Sequence, residues 1–247
     1  MTADIRVFPL EGIPEVEEGD DLAALLAAAA ARAGGFEDAD VVVVAQKVVS
    51  KSEGRIVSLD GVEPSARALE LAGDRDPRHV ETVLRESVRI VRSRPPLVIA
   101  ETRHGFVCAS AGVDASNARG EGTLVLLPLD PDASAARIRD GLRDRLGRDV
   151  GVIVSDSFGR PFRQGTTDVA LGVAGMTPLL DLRGTRDAAG YELQATQIAV
   201  ADELAGAAEL VLGTTRGVPA AVVRGVDLRG EGSGRELVMP PERDLFR

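Results

Sequence analysis

VGVIVSDSFGRPFRQGTTDVALG, residues 150–172, is the stretch that decides the fold class of this sequence. Residues 150–154 are apolar and predict a strand buried on both faces, after which the chain becomes abruptly polar. Ser155, Asp156, Ser157 and then two arginines are expected in a polar loop at the carboxyl end of that strand. In α/β proteins such loops bind phosphorylated ligands. A helix-capping Asp-Ser turn with solvated arginines explains the same spacing equally well.

The remaining chain alternates between strand and helix patterns. Strands are predicted at 5–10, 41–45, 97–101, 106–109, 123–127, 176–182 and 220–223, with 97–101 pairing with 106–109. Helices are predicted at 22–33, 65–72, 77–92 and 196–212, together with one that is capped at 130–134 and ends at Gly147. No fixed-period repeat or low-complexity linker is visible. We therefore expect one domain of mixed α/β (α+β) architecture over residues 1–247.

The net charge of the chain limits the kinds of partner that the protein is expected to bind. A net charge of −10 argues against nucleic acid or an anionic membrane, because both select basic surfaces. The longest apolar run, residues 22–31, is too short to cross a bilayer, and no secretory signal is visible. The lone Cys108 has no disulfide partner, so a reduced, cytoplasmic protein is expected, with Cys108 as a small buried hydrophobe. An acidic protein that binds phosphate must concentrate positive charge locally or borrow it from a metal ion.

Lys47 and Lys51 are the only lysines among 29 basic residues, and they follow directly after the predicted strand 41–45. Lysine carries a compact ammonium that binds phosphate as a point charge, whereas arginine presents a planar fork. The same sequence would result if compositional drift had left two lysines without a function on an exposed turn. Their place after a buried strand favours contact with phosphate.

Candidate metal ligands are oxygen atoms. The two histidines, His79 and His104, lack the spacing of a zinc site. Asp114 and the pair Asp156-Ser157 both follow apolar strands and suit Mg²⁺ or Mn²⁺ bridging nucleotide phosphates, although either aspartate alone is more often a turn residue. A P-loop, a G-x-G-x-x-G turn and a G-x-S-x-G elbow are all missing from the sequence. These patterns indicate a metal-phosphate site without specifying a substrate.

Seven motifs, taken together and in order, resemble the coenzyme F420-0:L-glutamate ligase family, whose members add glutamate to a deazaflavin coenzyme at the expense of GTP. They cover nearly the whole chain: FPLEGIPEVEEGDDL, VVVVAQKVVSKSEGR, AGVDASN, LPLDPDASA, VIVSDSFGRPFRQGTTDVALGVAG, RDAAGYEL and VADELAGAAELVLG. The resemblance implies the family's own fold and an intertwined homodimer whose subunits share the active-site groove. It also implies a reaction through an acyl phosphate that releases GDP and phosphate.

The resemblance also implies roles for particular residues. Lys51, Asp156 and Arg160 would be catalytic, Asp114 and Asp156 would hold one Mg²⁺ or Mn²⁺ ion, and Ser157 would hold a second. A potassium ion is a further expected cofactor. Arg160 and Arg163 would bind carboxylates or phosphate of the coenzyme, unless they are ordinary surface arginines. Residues that match nucleotide contacts are Ile13, Pro14, Glu15, Val16, Gln46, Lys47, Lys51, Asn117, Gly213, Thr214, Thr215 and Gly217.

Three departures from the family pattern affect these assignments. Ala45 and Gln46 stand where a hydroxyl residue is common, and Ser157 stands where threonine is common. The loop GTTRG, residues 213–217, has few acids, so a second-metal ligand there would have to be Thr214 or water. The nitroreductase-like domain fused to some relatives is not expected here.

Two rival functions stay open at the level of sequence. A metal-dependent phosphohydrolase using Asp156 would turn over nucleotide without modifying a coenzyme. A non-catalytic deazaflavin- or nucleotide-binding protein would release no phosphate. Residue spacing does not separate GTP from ATP, nor does it give the number of glutamates that are added.

Overall fold

The structure is a computed structural model that describes residues 4–116, 118, 120–213 and 215–246. The helices are α1 Leu22–Arg32, α2 Gln46–Ser52, α3 Ala66–Ala72, α4 Pro77–Arg85, α5 Pro131–Leu146 and α6 Val200–Leu212. The strands are β1 Arg6–Pro9, β2 Val41–Ala45, β3 Ile56–Ser58, β4 Ser87–Arg94, β5 Leu97–Thr102, β6 Val107–Ala109, β7 Thr123–Val125, β8 Gly151–Gly159, β9 Thr166–Ala174, β10 Leu180–Asp181, β11 Gln197–Ile198 and β12 Ala220–Arg224. The fold is thus mixed α/β, as the sequence predicts.

The central sheet has the strand order β1-β12-β2-β8-β9. β2 and β8 run parallel, with Ala45 opposite Ser155, and the other neighbouring strands are antiparallel. Ligands of α/β proteins bind at the carboxyl ends of parallel strands. The paired ends of β2 and β8 are therefore where a site is expected.

Both faces of this sheet are covered by helices. Leu26 of α1 and Leu142 of α5 lie in one hydrophobic cluster with Val152, whereas Ala205 of α6 lies in another with Ile153. Adjacent residues of β8 enter opposite clusters because side chains alternate along a strand. This explains why the strand begins as an unbroken apolar run.

A third hydrophobic cluster lies around the smaller sheet β4-β5-β6. It joins Leu71 of α3, Val80 of α4, Val98 of β5 and Leu124 of β7. Asp114 forms an isolated β-bridge with Val125 at the end of β7, which pairs with β3, so the β3-β7 ribbon positions Asp114. Of the described residues, none belongs to a helix with the length and apolar character needed to cross a membrane. The division into one domain stays a prediction.

Several predicted elements are confirmed. The strand 41–45 is observed with its predicted bounds, and the pairing of β5 with β6 is present. α1 begins after Asp21, whose side chain accepts the N–H of Ala24, and α5 begins after Asp130, whose side chain accepts the N–H of Ala133. These are N-caps, in which a carboxylate satisfies a backbone donor of the first turn.

Three boundaries were wrong. The helix predicted over 77–92 ends at Arg85, because the β-branched residues that follow form β4 and pair with β5. The strand predicted over 176–182 shrinks to Leu180–Asp181, with Met176 making only an isolated bridge. The helix predicted from residue 196 begins at Val200, since Gln197–Ile198 pairs with β10. In the first and third cases a strand partner overrides the local pattern, whereas in the second most of the predicted strand lacks such a partner.

The most informative correction concerns residues 155–159. They were predicted as a loop, but β8 continues to Gly159 and pairs with β9 through a register shift at Val154 and Ser155. The strand becomes polar because this half borders a cavity, and not because the chain leaves the sheet. Asp156 and Ser157 are consequently held by sheet hydrogen bonds.

Gly172 of β9 lies where the central sheet packs closely against the start of α5. A Cβ atom added at Gly172 would lie 2.1 Å from the backbone oxygen of Pro131, whereas one added at Gly159 of β8 would meet nothing within 4 Å. We expect Gly172→Ala to lower the free energy of unfolding by about 1–3 kcal/mol through overpacking, and Gly159→Ala to change it far less. Urea unfolding followed by circular dichroism measures both. Equal midpoints for the two variants would contradict this packing.

Candidate active site

A cavity of about 350 Å³ lies at the carboxyl ends of β2 and β8. Its walls come from the segment before α1, from α2, from the β8-β9 hairpin and from the end of α6. Predicted site residues that line it are Ile13, Pro14, Glu15, Val16, Gln46, Lys47, Lys51, Asp156, Ser157, Gly213 and Gly217. Lining residues that the sequence reasoning did not assign are Ala45, Val48, Ser155, Asp168, Glu209, Leu212, Val218 and Pro219.

α2 carries both lysines on one face, because residues four apart on a helix are neighbours. The Lys51 ammonium contacts Glu15 Oε1 at 2.5 Å, and its side chain is only 6% exposed. The Lys47 ammonium contacts Asp114 Oδ2 at 2.7 Å and donates to Ser116 Oγ at 2.8 Å. The turn suggested by the sequence is therefore a helix. Lys51 is thus fixed by a carboxylate that lines the cavity, and Lys47 by Asp114, which lies outside the lining.

Gln46, the first residue of α2, contributes an unsatisfied donor. It is 1% exposed, and its Oε1 accepts the hydroxyl of Ser50 at 2.8 Å. Its Nε2 atom is buried without a hydrogen-bond partner in the described part of the chain. A buried amide without an acceptor is costly, so Nε2 is available to a ligand that brings an oxygen acceptor.

The surroundings of Asp156 disfavour the ionised form of its carboxylate. Burial raises the pKa of Asp156 to about 7, and the nearby charges of Asp168 and Asp114 add to this, against the Lys47 ammonium and the Ser157 N–H. Burial also acts to raise the pKa of Asp114. Hydrogen bonds from Lys47 and Ser116 outweigh burial there, and the pKa of Asp114 is lowered. The charges of Asp114 and Asp168 thus lie close enough to Asp156 to affect its ionisation.

Asp168 lies opposite Ser157 across the β8-β9 hairpin. Its carboxylate accepts the hydroxyl of Ser157 at 2.6 Å and that of Ser155 at 2.9 Å, and its backbone N–H donates to Glu209 at 3.1 Å. Sequence reasoning included Asp168 in the opening stretch without giving it a role, because the cross-strand register was not visible. No sequence signal pointed to Glu209.

The oxygen atoms at this site fit a hard divalent cation. Among the described residues, no three His, Cys, Asp or Glu side chains form a closed metal-binding group. However, no described side chain donates a hydrogen bond to the half-buried Asp156 carboxylate, and its acidic neighbours disfavour its charge. A cation would relieve both costs, with Asp114, Asp156 and Ser157 as oxygen ligands and the remaining positions filled by water or phosphate.

Asp114 and Arg163 do not line the cavity, and four further predicted residues also have a different status. Arg160 lies at the β8-β9 turn outside the cavity lining, where its guanidinium donates to the backbone oxygen of Gln164 at 2.8 Å. Thr215 does not line the cavity either. Asn117 and Thr214 lie outside the described residues. The roles expected for these four residues stay predictions.

Cys108 is buried, as predicted, near the same site. Burial, followed by the charge of Asp156, raises the pKa of the Cys108 thiol to about 12, so almost no thiolate forms at neutral pH. We expect its reaction with a disulfide reagent at pH 8 to be at least about 100-fold slower in the native protein than in urea, where both burial and the shifted pKa are lost. Rapid native labelling would contradict this burial.

The fold and the cavity define an α/β protein with two lysines and several carboxylates at the carboxyl ends of two parallel strands. The family model for F420-0:Gamma-glutamyl ligase matches residues 12–225. A coenzyme F420:L-glutamate ligase from Methanothermobacter thermautotrophicus is 46% identical over 98% of this chain and 99% of its own. Those from Methanopyrus kandleri and Archaeoglobus fulgidus are 46% and 43% identical, over 98% of this chain and 98% and 96% of theirs. This chain therefore belongs to the F420-0:gamma-glutamyl ligase family, and the resemblance is confirmed.

Proposed function

We propose that this protein is a GTP-dependent ligase that joins L-glutamate to coenzyme F420-0 through a peptide bond and releases GDP and phosphate. Membership of the family and the names of its full-length relatives support the ligase reaction. The observation that carries the nucleotide and metal parts is the cavity at the ends of β2 and β8. There, two ammonium groups and several oxygen ligands line one space.

The charge balance of the cavity supports a divalent cofactor. Its lining includes the carboxylates of Glu15, Asp156, Asp168 and Glu209, but only two ammonium groups. A triphosphate alone would be repelled by such a surface, whereas divalent cations reverse the local field. We assign Asp114, Asp156 and Ser157 to Mg²⁺ or Mn²⁺, which when bound would neutralise charge on the phosphates.

The proposed reaction has two steps. An oxygen of the F420-0 carboxylate attacks the γ-phosphorus of GTP, and the bond from that phosphorus to the bridging oxygen breaks to release GDP. The glutamate amine then attacks the acyl carbon of the acyl phosphate, loses a proton and displaces phosphate. The lysines would bind phosphoryl oxygens, so most of the catalysis is positioning and electrostatic stabilisation.

Gln46 has a place in the same proposal. The family often has a hydroxyl residue at this point of the sequence, and here the buried Nε2 of Gln46 lacks an acceptor among the described residues. In the nucleotide complex it would donate to an oxygen of GTP. The amide would thus replace the contact that a hydroxyl makes elsewhere in the family.

Coupled product analysis tests this function. Purified protein with GTP, Mn²⁺, glutamate and F420-0 should release one GDP for each glutamyl residue that mass spectrometry finds on the coenzyme. Metal-dependent GDP release with an unchanged coenzyme would support a phosphohydrolase instead. Ligand binding without any phosphate release would indicate a non-catalytic binding protein. Further glutamyl additions would appear as a ladder of product masses.

The intertwined homodimer and the cytoplasmic location stay predictions. Light scattering coupled to size-exclusion chromatography tests the dimer directly. A mass of about 52 kDa is expected, twice the 25.9 kDa of one chain. A species of single-chain mass that retains ligase activity would contradict a groove shared between subunits.

A further inference from the structure

Asp168 is a buried carboxylate that receives two serine hydroxyls. It is 6% exposed, Ser157 Oγ lies 2.6 Å from its Oδ1 atom, and Ser155 Oγ lies 2.9 Å from its Oδ2 atom. An ionised carboxylate can only accept hydrogen bonds, and a serine hydroxyl has a single proton to donate. Both serine protons are therefore directed at Asp168.

This arrangement determines whether Ser157 presents a proton or lone pairs to the cavity. With its proton held by Asp168, the Ser157 oxygen presents only lone pairs to any other partner. An oxygen polarised in this way is a better ligand for a hard cation than a freely rotating hydroxyl. Ser157 and Asp168 both line the cavity, so the free lone pairs are close to the space that a ligand would occupy.

The backbone of Asp168 is held from two directions. Asp168 pairs with Ser157 across the hairpin, and its backbone N–H donates to Glu209 of α6 at 3.1 Å. A group held by a sheet and a helix has little freedom to turn away. We propose that Asp168 is a positioning residue that orients the Ser155 and Ser157 hydroxyls so that Ser157 can bind a divalent cation. This inference rests on the proposed function, since it concerns the same metal.

A purely structural role is the alternative, and Asp202 provides a matched control. Its Oδ1 atom accepts the N–H of Ala170 at 2.9 Å, so a half-buried carboxylate of α6 contacts β9 there. Asp202 does not line the cavity. If the Asp168 carboxylate only stabilised the packing of β9, Asp168→Asn and Asp202→Asn would behave alike.

Mn²⁺ binding by the full chain separates the two roles. Free Mn²⁺ is counted by electron paramagnetic resonance, with Mn²⁺ alone and with Mn²⁺ plus GDP, and the melting temperature of each variant is recorded. We expect Asp168→Asn to weaken Mn²⁺ binding by about 10- to 100-fold, because the asparagine amide donates to one serine and reverses its proton. Asp202→Asn should bind Mn²⁺ within about twofold of the wild type.

Serine variants keep the inference testable if Asp168→Asn does not fold. Ser157→Ala should weaken Mn²⁺ binding, and Ser157→Thr, which keeps the hydroxyl, should restore it. The double variant Asp168→Asn with Ser157→Ala should bind no more weakly than the weaker single variant, because both changes act through one oxygen.

Wild-type Mn²⁺ affinity in Asp168→Asn or in Ser157→Ala would overturn the inference, and so would equal losses in Asp168→Asn and Asp202→Asn. The proposed function would survive those results, provided that the wild type binds Mn²⁺ and forms glutamylated product. A wild-type protein that binds no Mn²⁺ with or without GDP would overturn both.

Discussion

Asp156→Asn is expected to lower kcat/KM for glutamylation by about 10²- to 10³-fold, the range seen when one electrostatic contributor to a transition state is removed. The carboxylate is half-buried in the polar half of β8, near Lys47 and the acidic neighbours Asp114 and Asp168. An amide has nearly the same shape but cannot bring negative charge to a divalent ion. Asp156→Asn should therefore lower catalysis and metal binding and leave the fold intact.

The matched control for this variant is Asp181→Asn. Asp181 is an exposed carboxylate of β10 that pairs with Arg183, remote from the cavity lining. Its replacement should leave kcat/KM within about twofold, because exposed ion pairs contribute little. Steady-state assays at several Mn²⁺ concentrations measure both variants. Undiminished activity of Asp156→Asn at saturating Mn²⁺ would refute the assignment.

The same substitution has a pH-dependent effect on stability in EDTA. Burial raises the pKa of Asp156 to about 7 in the metal-free folded protein, above its unfolded value. Ionisation therefore opposes folding, so the wild type loses stability as the pH rises toward and through 7. Asparagine does not ionise, and Asp156→Asn should gain stability relative to the wild type between pH 5 and pH 8. A difference in melting temperature that does not change with pH would contradict this.

Lys51→Ala is expected to lower kcat/KM by about 10²-fold, or about 2.7 kcal/mol of transition-state stabilisation. The Lys51 ammonium is only 6% exposed and lies at the cavity wall beside Glu15, so its charge acts in a low-dielectric setting. Glu15 is 51% exposed, so solvent can stabilise its charge once the lysine is gone. The cost in folding free energy should therefore be modest.

Lys51→Arg tests whether the site requires a compact ammonium or whether any positive charge is sufficient. The planar guanidinium is larger than the ammonium, so it should restore only part of the activity in this buried position. Arg67→Ala, which removes an exposed cation paired with Glu70 on α3, is the control that should change nothing measurable. Initial rates against GTP concentration give the split between KM and kcat. Full activity in Lys51→Ala would show that this lysine does not bind phosphate.

The sequence was sufficient for the parts of the site that depend on local pattern. β2 is four valines followed by Ala45, and residues that come soon after it, such as Lys47, are placed by the helix that begins there. Asp156 was found because a buried strand ends its apolar run two residues earlier. Such residues are located by their distance from a recognisable strand.

The features of the fold and the site that the sequence does not predict depend on pairing between distant segments. The role of Asp168 requires the register of β8 on β9, which includes an irregularity that sequence alone does not show. Glu209 reaches the cavity only because α6 lies across β9. The helix predicted over 77–92 failed for a related reason, since β4 exists through its pairing with β5. Each miss reflects a tertiary partner that outweighs local preference.

Transfer of isotopic oxygen tests the central claim most directly. F420-0 whose reacting carboxylate carries ¹⁸O is incubated with GTP, Mn²⁺, glutamate and the protein, and the released phosphate is analysed by mass spectrometry. Attack of that carboxylate on the γ-phosphorus predicts one ¹⁸O atom in each phosphate, together with one glutamyl residue on the coenzyme. Phosphate without ¹⁸O, formed by attack of water on GTP, would contradict the account.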